Sequence, residues 1–208
     1  MKLRFTLLLG FGLVFSMTAA LGDGDAVRGK TLAYTCHGCH GIPNYKNAAP
    51  TYSVPKLGGQ RAEYMVEALK EYVKGDRVHP TMHAQAISNS EQDRVDMAAF
   101  FQGNSAANPN QPVVGTPPAI VSTLCVACHG TNGVSVLGPI YPTLAGQHAD
   151  YIAQALRDYK SGKRKNVIMS AQAANVKDED IPAIAAFFSK QKALCSTDEI
   201  RENGGKCK

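Results

Sequence analysis

Cys36-His37-Gly38-Cys39-His40 and Cys125-Val126-Ala127-Cys128-His129 are two copies of one pattern, Cys-x-x-Cys-His. The spacing carries chemistry. Two thiols about one helical turn apart can each add to a vinyl group on the same porphyrin edge. The next residue, His40 or His129, then offers an imidazole nitrogen to the iron. A single Cys-x-x-Cys also suits a thioredoxin-like redox pair or half of a zinc site. Neither needs a histidine directly after the second cysteine, and neither explains two complete copies. The pattern therefore predicts two covalently attached haem c groups, held through Cys36, Cys39, Cys125 and Cys128, with His40 and His129 as proximal iron ligands.

The repeat extends beyond the motif. Leu57-Gly58-Gly59-Gln60-Arg61-Ala62-Glu63-Tyr64 matches Leu144-Ala145-Gly146-Gln147-His148-Ala149-Asp150-Tyr151, 87 positions later. Tyr72 and Tyr159, Gly75 and Gly162, Met82 and Met169, and Phe100-Phe101 and Phe187-Phe188 keep the same offset. The haem cysteines, and Pro50 with Pro139, are 89 apart, so the first copy has two extra residues between Pro50 and Pro55. The organisation read from this is a signal peptide at 1–22, a first domain at 23–104, a linker at 105–118, and a second domain with a C-terminal tail at 119–208. The leader reading rests on Lys2 and Arg4, the apolar run Phe5 to Val14, and the small residues Ser16 to Ala20. That run is short for a membrane span.

Each copy predicts the same helices. One covers 61–74 or 148–160, with apolar residues at 3–4 spacing on one face, and Gly75 or Gly162 stops it. A loop with a methionine follows. A last helix begins at Ser90, with Asp93 in its first turn, or near Asp180, where Pro182 is tolerated only early. Before the first motif a helix is expected over 25–34, in which Gly29 allows another helix to approach closely. After Pro117-Pro118 the second copy has room only for a short one, 119–124.

The duplicated haem motif, the Leu-x-Gly-Gln segment opening a helix, and the late methionine before an acidic helix start resemble cytochrome c4, over nearly the whole chain past residue 22. The resemblance implies an all-α protein of two tandem cytochrome c-like domains, each wrapping one haem. By analogy with cytochromes c, the carbonyls of Pro50 and Pro139 are candidates to hold the proximal histidine rings, with a simple turn role as the alternative. The tail cysteines Cys195 and Cys207 fall outside the family's plan.

Met82 and Met169 are the expected sixth ligands, because a soft thioether opposite histidine favours reduced iron. Met65 and Met97 have no counterpart in the other copy and read as core residues. His79, His83 and His148 read as surface residues, with His83 close enough to Met82 to compete for the iron. Cys195 and Cys207 are expected to form a disulfide in an oxidising compartment.

Without Lys2 and Arg4 the chain holds 20 basic and 17 acidic residues. Four haem propionates would offset that excess, so nothing points to nucleic acid. The run Lys163-Arg164-Lys165 reads as a solvated basic loop, with a docking patch for an acidic redox partner as the alternative. No nucleophile–base pair or nucleotide-binding loop is visible. The expected function is electron transfer between exported or membrane redox proteins, towards a terminal oxidase, in the periplasm, with peripheral membrane association left open. The alternative is a dihaem dehydrogenase of a small sulfur compound, or its cytochrome subunit.

Overall fold

The computed structural model describes residues 23–104 and 107–208, so the expected leader lies outside the described residues. Ten α-helices occur among the described residues, with no strand. The first half holds α1 (Ala26–Leu32), α2 (Tyr34–His40), α3 (Ala62–Lys74), α4 (Pro80–Ile87) and α5 (Glu91–Gln102). The second holds α6 (Val126–His129), α7 (Ala149–Ser161), α8 (Val167–Ala174) and α9 (Ile181–Ser189), and the tail holds α10 (Thr197–Glu202).

Local chemistry sets most boundaries. Gly75 and Gly162 end α3 and α7 in the left-handed conformation, at φ +77° and +76°, as an αL cap requires. Ser90 and Asp93 form a reciprocal capping box at the start of α5. Asp25 caps α1 by accepting from the backbone of Val27 and Arg28. The helix expected over 25–34 breaks at Ala33, and α2 carries the haem motif itself. The second copy keeps no equivalent of α1. A π-helical turn, Val121–Cys125, runs straight into α6.

The methionines do not lie in loops. Met82 sits in α4 and Met169 in α8. The reason is a pair of caps: the His79 Nδ1 accepts from the Met82 N–H at 3.2 Å, and the Asn166 side chain accepts from the Met169 N–H at 3.0 Å. Pro80, at the first helical position, needs no hydrogen-bond acceptor there.

Each half has its own core. In the first, Met65, Met97, Ala98, Phe100 and Phe101 pack together. Gly29 makes this possible: a Cβ there would lie 1.9 Å from the Asp96 carbonyl oxygen, so α1 and α5 cross with their backbones nearly in contact. In the second, Val121, Ile152, Ile181, Ile184, Phe187 and Phe188 pack together. Residues 108–114 of the expected linker lie on the second half. Val114 exchanges two hydrogen bonds with the Gln191 side chain, both 2.9 Å, and Asn132 donates to carbonyls of Asn108, Pro109 and Gln111.

The tail does not stay with the second half. Cys195 and Ile200 are buried in the core of the first. The expected disulfide between Cys195 and Cys207 is present.

Candidate haem sites and the interface between them

Cys36 and Cys39 lie on α2, and Cys125 and Cys128 lie across the π-turn and α6. All four are unpaired and half-buried, in a chain whose other two cysteines are bridged. The two motif histidines are held alike. The His40 Nδ1–H donates to the Pro55 carbonyl at 2.8 Å, and the His129 Nδ1–H donates to the Pro142 carbonyl at 3.3 Å. This corrects the expectation for Pro50 and Pro139. Pro55 and Pro142 are the proline pair that shares the helices' 87-residue offset, so each keeps its place against the domain core, whereas Pro50 lies ahead of the two-residue insertion. Fixing Nδ1 leaves Nε2 as the nitrogen free for iron. Burial pushes the His40 imidazole down to about 4 and lowers that of His129, so both rings are neutral and able to ligate. The donor set fits covalently bound haem c: two free thiols and one oriented, neutral imidazole per half.

The methionines divide as the repeat suggests. Met65 and Met97 are core residues, 6% and 4% exposed. Met82 and Met169 are half-buried and belong to neither core. His79 is not a plain surface residue. Its Nδ1 accepts from Met82, so its Nε2–H donates to Asn47 Oδ1 at 3.0 Å. His83 is exposed and its Nδ1–H donates to the Tyr72 carbonyl at 2.8 Å, which ties it to α3. His148 is the half-buried residue before α7, and burial lowers its pKa.

Sequence reading missed the interface between the halves, which is built from repeat-related pairs. Gln60 Nε2 donates to the Thr143 carbonyl and Gln60 Oε1 accepts from the Thr143 N–H, both at 2.9 Å. Gln147 makes the same two bonds with Lys56, at 3.0 and 2.9 Å. Residues 56 and 143, like 60 and 147, are 87 apart. Arg77 donates to the Tyr151 hydroxyl, and Arg164 donates to the Tyr64 hydroxyl at 2.9 Å. Each guanidinium also stacks 4.5 Å from the centroid of its own half's tyrosine, Tyr72 or Tyr159. The Val78 N–H donates to the Lys163 carbonyl, and the Lys165 N–H to the Asp76 carbonyl, at 3.1 and 2.7 Å. The two halves therefore meet face to face about a local twofold, as two copies of one subunit do in an isologous dimer.

The basic run is corrected by this geometry. At its centre Arg164 is 5% exposed and part of the interface, while Lys163 and Lys165 stay exposed. Burial works against the Arg164 charge, but the tyrosines around it hold the guanidinium protonated, above its usual range. Burial raises the Glu71 carboxyl despite Arg164 at 3.8 Å. The signal that could have revealed the interface was present: arginine at the same register in both copies, next to helix-ending glycines.

Two cores, two Cys-x-x-Cys-His anchors and two oriented histidines define a two-domain c-type cytochrome, an electron carrier with two covalent haems. The cytochrome c family model matches residues 26–105 and 118–192. The chain is 34% identical to cytochrome c4 of Pseudomonas aeruginosa, covering 90% of this chain and 97% of that one. It is 31% identical to the thiosulfate dehydrogenase electron acceptor of Stutzerimonas stutzeri, covering 85% of this chain and 90% of the relative. The crystal structure of reduced recombinant cytochrome c4 from Pseudomonas stutzeri superposes with a TM-score of 0.64 at 28% identity, over 81% of this chain and 100% of that one. The chain belongs to the cytochrome c4 family.

Proposed function

We propose that this dihaem protein works in the periplasm, taking electrons one at a time from a membrane or exported donor and passing them towards a terminal oxidase. In this reading Cys36 and Cys39 anchor the first haem between His40 and Met82, and Cys125 and Cys128 anchor the second between His129 and Met169. The observation that carries it is the doubled geometry of the proximal side. Each histidine has Nδ1 committed to a proline carbonyl, at 2.8 or 3.3 Å, with a half-buried methionine at the same register in each copy. Bound there, haem iron supplies reversible one-electron chemistry. The residues would do the rest: the cysteine thiols would hold the groups covalently, the proline carbonyls hold the imidazoles, and the methionine thioethers would favour reduced iron. No helix of the described residues is long and apolar enough to cross a membrane.

A second reading concerns the donor. One relative is described as the electron acceptor of a thiosulfate dehydrogenase, and this chain would serve the same kind of enzyme.

Spectra of the oxidised holoprotein test the ligands. Met82→Ala and Met169→Ala should each remove half of the far-red methionine–iron absorption, and Met82→His should leave a low-spin iron with a lowered potential. An unchanged band in Met82→Ala would show that another group ligates the first iron. Rapid oxidation of the reduced protein by oxidase-containing membranes supports the carrier role, and turnover of thiosulfate by the isolated protein overturns it.

A further inference from the structure

The C-terminal tail crosses the local twofold and ends on the first domain. The Leu194 N–H donates to the Ala145 carbonyl and the Cys195 N–H to the Gly58 carbonyl, both at 3.0 Å. Gly58 and Ala145 are equivalent positions of the repeat, so two successive residues join the two halves at matching points. Beyond this crossing the tail packs on the first domain. Ile200, 1% exposed, sits with Phe100 and Phe101. The Asn104 N–H donates to the Gly205 carbonyl at 2.6 Å. The Cys195–Cys207 bridge closes the segment, which has little apolar surface of its own beyond Ile200.

The end of this clip lies against the haem-bearing helix. Thr197, fully buried, places its Oγ1 3.1 Å from the Nδ1 of His37, the residue between Cys36 and Cys39. The Asp198 carboxylate is 3.8 Å from the same nitrogen. A Cβ on Gly41, directly after His40, would lie 3.2 Å from Thr197 Oγ1 and 3.0 Å from Asp198 Oδ1. The second domain has nothing comparable, since its residue at the position of His37 is Val126.

We propose that the disulfide-closed tail is a positioning element for the first haem alone, with Thr197 as its contact residue. The tail fixes α2 through His37 and keeps water from the face of that helix, so the first iron sits in a drier site than it would without the tail. Less water around an iron disfavours the ferric charge and raises its potential. The two potentials are thus set apart by a segment encoded after the second domain. The inference about potential rests on Cys36, Cys39 and His40 carrying the first haem. The inference about α2 does not.

The test uses the holoprotein with Thr197→Val, Thr197→Ser, and Cys195→Ser together with Cys207→Ser. Amide hydrogen exchange is followed at 36–41 and at 125–130, beside a redox titration. Losing the hydroxyl contact should speed exchange in the first motif by about five-fold, the effect of one ordinary hydrogen bond, and leave the second motif unchanged. One of the two potentials should fall, and Thr197→Ser should restore both readouts. Opening the disulfide should move both readouts further in the same direction. Unchanged exchange in the first motif, or equal acceleration at both motifs, would overturn the clip. Faster exchange in the first motif with both potentials unmoved would overturn its role towards the haem.

Discussion

The two domains share one half of their architecture and differ in the other. Around the twofold they are nearly interchangeable: α3 and α7, Gln60 and Gln147, Tyr64 and Tyr151, and Arg77 and Arg164 occupy the same register and make the same bonds. Away from it they diverge. The first domain closes its far side with α1 crossing α5, and Arg28 pairs with Asp93 and Asp96. The second has a π-turn there and leaves Ala183, the counterpart of Asp96, exposed, while its linker pairs with Gln191 past the end of α9. The two-residue insertion of the first domain lies in a loop pinched between Lys46 and Ser53, and Ser53 donates twice to Asp150 across the interface, at 3.0 and 2.9 Å. The lesson is that duplication preserved the surfaces that had to fit each other and left the outer surfaces free to change. A substitution in the shared half must satisfy two partners, while one on the outside affects a single domain.

Four substitutions test this contrast. The largest effect is expected from Gly29→Val. The new side chain would meet the Asp96 carbonyl, with Cβ only 1.9 Å away, and α1 could not cross α5. The cost should exceed about 3 kcal/mol and fall on the first domain alone. The measurement is haem content with thermal unfolding: an early transition and a loss approaching one haem per chain are expected. Two haems and an unchanged melting curve would mean that the crossing is not what holds the first domain.

Next come Gln60→Ala and Gln147→Ala. Each removes two hydrogen bonds across the interface, buried at Gln60 and part-buried at Gln147, that a backbone N–H and a carbonyl of the other domain make. Each should destabilise by about 2 kcal/mol or more. The local twofold makes the stronger claim, that the two losses are alike in urea denaturation. A loss confined to one glutamine would show that the symmetry of the contacts is not a symmetry of energies.

The smallest effect is expected from Asp96→Asn, read against pH. The Asp25 backbone N–H, then Gln92 and Arg28, hold the Asp96 carboxyl below its usual value of 3.8. A carboxyl depressed in the folded state adds stability that is present above its unfolded pKa and is lost as pH falls through the folded one. Wild-type stability of the first domain should therefore decline below about pH 4. Asp96→Asn should flatten that part of the profile and leave the second domain's transition in place. A second-domain transition that moves equally would show that the two halves unfold as one unit.

Much of the fold was legible in the residues. Gly75 and Gly162 ended helices where a residue without a Cβ can turn left-handed, Ser90 and Asp93 began one, and Gly29 marked a close crossing. All are decisions taken within a few residues. The expected helix over 25–34 nevertheless broke at Ala33, and the methionine loops proved to be helices capped by His79 and Asn166. There the deciding groups were side chains three residues ahead of the methionines, a histidine and an asparagine whose capping role depends on their orientation. The clearest miss was the proline behind each proximal histidine. Distance along the chain favoured Pro50 and Pro139, while Pro55 and Pro142 keep step with the helices that place them.

The number of anchoring motifs, the duplication, and the long helices with their glycine and serine caps were readable from the chain alone, with the pairing of Cys195 and Cys207 as an expectation. These depend on bond chemistry, on backbone preference, or on there being one remaining pair of thiols. That Gln60 and Gln147 face the partner domain, that Arg164 is buried rather than solvated, and that the tail ends on α2 came from packing across the whole molecule. Those contacts join residues 83 to 160 positions apart. No local propensity specifies such pairs. They form because two matching faces must each satisfy buried polar groups, and because the tail can bury Ile200 and Thr197 in the first domain's core.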